Sequence, residues 1–145
     1  MKNSFLFPPT IGETGTSLFI LALRLFFGGM LMTHGFEKWQ RLTELSTTFP
    51  DPFGIGSQYS VLLAIFGELI CSLSFIFGFL YRLCMIPMIV TMGFAFFMVH
   101  NGSISNGELS FIYFVTFILL YLVGPGKYAV DRMLVGSKGR GRRRR

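Results

Sequence analysis

The sequence predicts an all-α integral membrane protein, a four-helix bundle with both termini in the cytoplasm. Three observations carry that prediction. Apolar residues make up 52% of the 145-residue chain and charged residues 14%, with a mean hydropathy of +0.59, so too little polar side chain is present to coat a water-soluble domain of this size. Four long apolar segments recur along the chain. None alternates with the period of two that a membrane β-barrel requires.

The segments run from about Ser17 to Phe36, Tyr59 to Leu80, Leu83 to Val99 and Leu109 to Val123. A helix needs roughly 20 residues to cross the hydrocarbon core, so the first two suffice alone and the last two draw on flanking residues. Between the first and second, Glu37 to Leu45 is amphipathic and reads as a short interfacial helix anchored by Trp39, followed by the turn-rich Pro50–Gly56. Tyr81 and Arg82 form the next turn, and Ser105–Glu108 precede the fourth helix. Gly124-Pro125-Gly126 ends that helix, and an amphipathic stub with Asp131 and Arg132 follows. The first apolar run contains Arg24 and lacks a small-residue cleavage site, which marks it as a retained helix. The expected organisation is an N-terminal cytoplasmic segment (1–16), a four-helix transmembrane domain (17–134) and a basic disordered tail (135–145).

The formal charge of +6 belongs to the tail. The chain has 13 Lys and Arg against 7 Asp and Glu, and Lys138, Arg140, Arg142, Arg143, Arg144 and Arg145 supply six of the former, leaving the body balanced. Such a run suits RNA or anionic headgroups, but beside a hydrophobic bundle it reads as a solvated tail, and no nucleic-acid partner is expected. Lys2, Arg82, Lys127, Arg132 and the tail place both termini and the second loop in the cytoplasm, because basic residues in short loops are retained there. The third loop has no Lys or Arg, and the first offsets Lys38 and Arg41 with Glu37, Glu44 and Asp51.

Ionisable residues within a span cost a few kcal/mol or more, so Arg24 and Glu68 require a reason. Counted from the segment ends, Arg24 lies roughly 10 Å and Glu68 roughly 14 Å deep from opposite sides, which predicts an Arg24–Glu68 pair near mid-membrane. At 100° per residue Arg24, Gly28, Leu31, Gly35 and Lys38 share one line, within about 40°, and define the inward face of helix one, with His34 beside it. Gly67, Cys71, Ser74 and Gly78 form a small-residue seam on helix two. His34, Glu37 and Lys38 at the end of helix one, His100 at the end of helix three and Glu108 at the start of helix four fall in a second polar layer. Ser105-x-x-Glu108 also fits a capping box. Two histidines without a third ligand argue against a metal or haem site, whereas a His and Glu set suits a proton path or the hydrogen-bonding of a quinone headgroup. Pro87 predicts a local kink. Cys71 and Cys84 form no Cys-x-x-Cys and read as inert buried residues. The sequon at Asn101-Gly102-Ser103 reads as incidental outside a eukaryotic host.

Arg24, His34-Gly35 followed by Lys38, Glu68, and Gly124-Pro125-Gly126 with Asp131 resemble the DoxX family, from about Leu21 to Leu134. His100 and Glu108 also match positions of that family, while the basic tail lies outside its pattern. The resemblance implies a four-helix protein of a bacterial or archaeal cytoplasmic membrane. Its members are named for a subunit associated with a terminal quinol oxidase and thiosulfate:quinone oxidoreductase, and others are linked to membrane complexes that handle oxidative or thiol stress. No complete haem, flavin or metal motif equips this chain as a self-sufficient enzyme. The expectation is a multi-pass subunit or accessory factor of a redox system, with no cofactor evident from the residues and quinone, rather than haem, as the candidate. Its expected partners are the lipid bilayer, a membrane or redox protein and further copies of the chain. A small transporter or ligand-binding module and a non-catalytic scaffold are the alternatives. The candidate binding or proton-path residues are Arg24, His34, Lys38, Glu68, His100 and Glu108.

Overall fold

The computed structural model describes the backbone of residues 12–141 and the side chains of residues 12–135. Lys2 and the arginines at 142–145 lie outside the described residues, as do the side chains of Lys138 and Arg140. The described residues are helical, without strands, and four helices are long and apolar enough to cross a membrane. They are α1 (Glu13–Gln40), α3 (Ser57–Phe77), α4 (Tyr81–Val99) and α5 (Ile104–Val123). A short α2 (Leu42–Thr48) follows α1, and α6 (Val130–Gly141) follows α5.

Helix α1 begins at Glu13, ahead of the expected start, and continues to Gln40 before breaking at Arg41. The amphipathic segment is therefore divided between the last turn of α1 and the separate α2. The predicted inward stripe is the buried one: Arg24, Gly28, Leu31 and Gly35 are buried, with Ser17 and Ile20 extending the line. Its neighbours Leu25, Phe26 and Phe36 are exposed, as a lipid-facing surface requires.

Two spans change helical pitch. Helix α3 is α-helical over Ser57–Ile65, makes a π turn at Phe66–Ile70 and resumes at Cys71–Phe77. Helix α4 is α-helical over Tyr81–Phe94, through Pro87, and ends in a π turn at Ala95–Val99. Such turns insert a residue into the ladder and occur often at functional sites. The turn joining α3 to α4 is Gly78–Leu80 rather than Tyr81–Arg82, which already belong to α4. Gly78 is in the left-handed region at φ 69°, and a Cβ there would fall 2.5 Å from Arg24 Nη2 and 2.6 Å from the Ala129 Cβ, so only glycine fits the turn and the contact together.

Helix α1 packs along α3, α3 along α4 and α4 along α5. Aromatic side chains fill the space between α1 and α5, where Tyr113 stands edge-on to Phe27 at 5.8 Å between ring centroids. The core is built from Leu31, Phe75, Tyr81, Met85, Met88, Tyr113 and Phe117, each almost wholly buried. In lipid no hydrophobic effect draws these helices together, so close packing and interhelical hydrogen bonds must hold them. Helix α5 starts at Ile104 with Ser103 as its unbonded N-cap, so Ser105 lies inside the helix and the expected capping box does not form. Helix α6 continues to Gly141, into the stretch read as a disordered tail. Asp131 in its first turn and basic residue types toward its end suit the helix dipole.

Candidate functional site

The two buried charges do not meet. Gly35 brings α1 against the backbone of α3: a Cβ there would fall 2.8 Å from the Glu68 carbonyl carbon and the Leu69 nitrogen. This contact sets the register. Arg24 lies about three turns, or roughly 16 Å, along α1 from that level. Counting from the ends of apolar runs misplaced the two residues because α1 reaches beyond its apolar run and is staggered against α3. The partner of Glu68 is Lys38, whose Nζ lies 2.6 Å from Oε2. The carboxylate is buried and the Lys38 side chain is one-quarter exposed.

Arg24 is instead held by backbone carbonyls. Its Nε donates to Phe75 O at 3.0 Å, Nη2 to Ile76 O at 2.6 Å, and Nη1 to Pro125 O at 2.9 Å and Tyr128 O at 3.4 Å. The planar fork thus serves two carbonyls at the end of α3, that of Phe75 also accepting the Gly78 amide, and two, of Pro125 and Tyr128, in the link after α5. Asp131 completes this end: its carboxylate accepts from the Leu80 and Tyr81 amides at 3.0 and 2.9 Å, and its own amide donates to Gly78 O. The Tyr81 hydroxyl donates to Leu120 O at 3.1 Å. Arg24 does not line the cavity at the other end. It joins α1, α3 and the α5–α6 link.

At the opposite end lies a cavity of about 790 Å³. His34 and Lys38 from α1, Glu68 from α3, Thr91 and the adjoining His100 from α4, and Tyr113 from α5 supply most of its polar lining. Its walls are apolar, including Leu63, Phe66, Val90 and Met98, and the α2–α3 connection covers one side with Phe49, Pro50, Pro52 and Phe53. That connection is anchored by Asp51, which accepts from Ile55 N, Gly56 N and Ser60 Oγ at 3.1, 2.7 and 2.7 Å, and by Phe53 edge-on to Phe94 at 4.6 Å. The Ser60 hydroxyl, then the Gly56 amide, hold the Asp51 carboxyl below the ordinary aspartate range.

The structure therefore brings together four of the six candidates, His34, Lys38, Glu68 and His100. Glu108 is exposed and does not line the cavity. Because α5 starts at Ile104, Gly107 faces His100, and Glu108 falls one residue further round the helix. Tyr113 is the site residue the sequence reading missed. It is 1% exposed, its ring lies 6.3 Å from that of His34, and its hydroxyl has no hydrogen-bond partner. Its hydroxyl is one of four, with those of Ser110, Thr116 and Tyr121, in a run of Phe, Ile, Val and Leu, and residue order alone does not single it out. Among the described residues no group of three His, Cys, Asp or Glu is placed to hold a metal ion.

The fold and site define a helical, multi-pass membrane protein with a mostly apolar cavity that carries a few polar groups. The sequence model described as DoxX matches residues 19–101, more than half of the chain, and the chain belongs to the DoxX family. It is also 30% identical over 129 residues to a protein of Haemophilus influenzae described as uncharacterized, covering 83% of this chain and 85% of that protein. No solved structure matches.

Proposed function

We propose that this chain binds a quinone in the Glu68 cavity, as a subunit or accessory factor of a redox system in a bacterial cytoplasmic membrane. The observation that carries this reading is a cavity with mostly apolar walls whose few polar groups include the Lys38–Glu68 pair. A lipid-soluble carrier matches it with an apolar chain and a head that exchanges protons. Pockets of roughly 300–1,000 Å³ with a few convergent polar groups are typical of small-ligand sites. A buried carboxylate held by one ammonium, with two imidazoles in the same lining, suits the acceptance and release of protons as a quinol is oxidised. The electrons would pass to a redox partner.

In this reading both termini lie in the cytoplasm and the cavity faces the other side, in keeping with basic residues at Arg82, Lys127 and Arg132 and none in the loop between α4 and α5. Confinement of the cavity to one end, above a packed layer of Phe75, Tyr81, Met85 and Phe117, favours binding over passage across the membrane. Titration of the purified protein with quinone analogues tests the proposal. Saturable binding that weakens in Glu68→Gln and in His34→Ala supports it. No binding, or binding unchanged in both variants, sinks it.

A further inference from the structure

The geometry points to Tyr113 as the donor that fixes the ligand's head, and to a sideways entry for its chain between α3 and α4. The inference rests on the quinone reading above and narrows it to a molecule with a carbonyl-type acceptor and an apolar chain that stays in the lipid.

The molecule has two deeply buried tyrosines of opposite fate. Tyr81 spends its hydroxyl proton on Leu120 O. Tyr113 is equally buried and its hydroxyl is unpaired. Leaving a buried hydroxyl unpaired costs about 1–3 kcal/mol, so a phenylalanine, of which this chain has 18, would be the more stable choice for packing alone. The ring is held from several sides: stacked on Phe117 at 5.6 Å, edge-on to Phe27 at 5.8 Å and edge-on to His34 at 6.3 Å. The donor is thus fixed in position before any ligand arrives.

The rest of the lining indicates what it would meet. The Thr91 hydroxyl already donates to Pro87 O at 2.8 Å. Lys38 carries three N–H donors and spends one on Glu68. Fixed donors in the lining call for an acceptor, and a quinone carbonyl is one. Entry follows from packing. From Phe66 toward Phe77, α3 lies against α4, but the first half of α3, Ser57–Ile65, contacts α1 and α2 instead. Leu63 and Phe66 on α3 and Val90 on α4 line the cavity and are roughly half exposed, at the seam where the first half of α3 parts from α4. An apolar chain can leave there without crossing a polar layer.

The test uses the full chain in lipid nanodiscs, with a decyl-substituted benzoquinone and its chain-free parent as probes. Tyr113→Phe removes one oxygen and keeps every ring contact. It should retain or raise the melting temperature, weaken binding of both probes about tenfold, and abolish the hydrogen-bonded shift of the quinone carbonyl stretch in the infrared. Leu63→Trp should slow association of the decyl probe and leave the chain-free parent unchanged. If the wild type binds quinone and Tyr113→Phe binds it equally with the same carbonyl frequency, the Tyr113 assignment is wrong while the quinone reading stands. Equal slowing of both probes by Leu63→Trp overturns the sideways entry. Absence of binding by the wild type overturns the quinone reading, and this inference with it.

Discussion

The two ends of the molecule treat a buried charge in opposite ways. At one end Arg24 meets four backbone carbonyls, Asp131 caps α4, the Tyr81 hydroxyl is bonded, and bulky side chains fill the remaining space. At the other, Glu68 has a single charged partner, the Tyr113 hydroxyl has none, and a cavity remains. Unsatisfied polar groups are expensive in a low-dielectric interior, and on the proposed reading the end that keeps Tyr113 unpaired does so for binding. Family membership alone does not draw this distinction, since Arg24 and Glu68 both belong to the resemblance. Hydrogen-bond satisfaction separates them, and the proposed function assigns Arg24 to building and Glu68 to binding.

If Arg24 is purely structural, its loss should have the largest effect of any single substitution on stability. Arg24→Leu removes four charge-assisted bonds and leaves the Ile76, Pro125 and Tyr128 carbonyls without that donor, while Phe75 O keeps the Gly78 amide. At about 1.5–3 kcal/mol for a bond to a charged group, reduced by partial relaxation in the membrane, the loss should exceed about 3 kcal/mol. Arg24→Lys should recover only a minor part, because a compact ammonium cannot span carbonyls that the planar fork reaches at once. Denaturant unfolding in mixed micelles measures both. A stable Arg24→Leu protein that has lost quinone binding would reverse the assignment of the two ends.

The Lys38–Glu68 pair should respond differently. Lys38→Met leaves a buried carboxylate with no cation and should cost about 3 kcal/mol, while the double variant Lys38→Met/Glu68→Gln should recover most of that stability. Binding should not recover with it. A double-mutant cycle read both by unfolding and by quinone titration separates the two quantities. Stability and binding that recover together would make the pair a register device and nothing more.

Much of the fold was legible because it follows from periodicity. The inward stripe of α1 and the ends marked by glycine and proline came directly from residue order. What failed was register. Apolar runs do not reveal where a helix actually starts, and Glu13 and Lys127 extend that end of the molecule past the apolar boundary, where they pair at 2.9 Å. The Arg24–Glu68 pairing went wrong for that reason, although Lys38 was already among the candidates. The start of α5 at Ile104 similarly turned Glu108 outward. Tyr113 was hidden because a single oxygen hardly alters an apolar pattern. The π turns at Phe66–Ile70 and Ala95–Val99 leave no mark that propensity can detect, though the first contains Glu68 and the second adjoins His100.

The smallest expected effect lies at the cavity's cover, and it tests whether the open end is merely loose. Asp51 ties the α2–α3 connection to the start of α3 through two amides and the Ser60 hydroxyl. Those donors stabilise the carboxylate and depress its pKa in the folded state. The restraint is therefore complete above the ordinary carboxyl pKa of about 4 and is lost as pH falls through the still lower folded-state value. Hydrogen exchange of the amides between Pro52 and Ser60 should be flat from neutral pH down to that range, once corrected for intrinsic rates, and rise below it. Asp51→Asn should show the faster exchange at every pH, by less than about fivefold, since exposed polar interactions are weak. A cover that already exchanges freely at neutral pH in the wild type would mean that Asp51 restrains nothing. The contrast between a rigid Arg24 end and a cavity with a pinned cover would then become one between a rigid end and a mobile one.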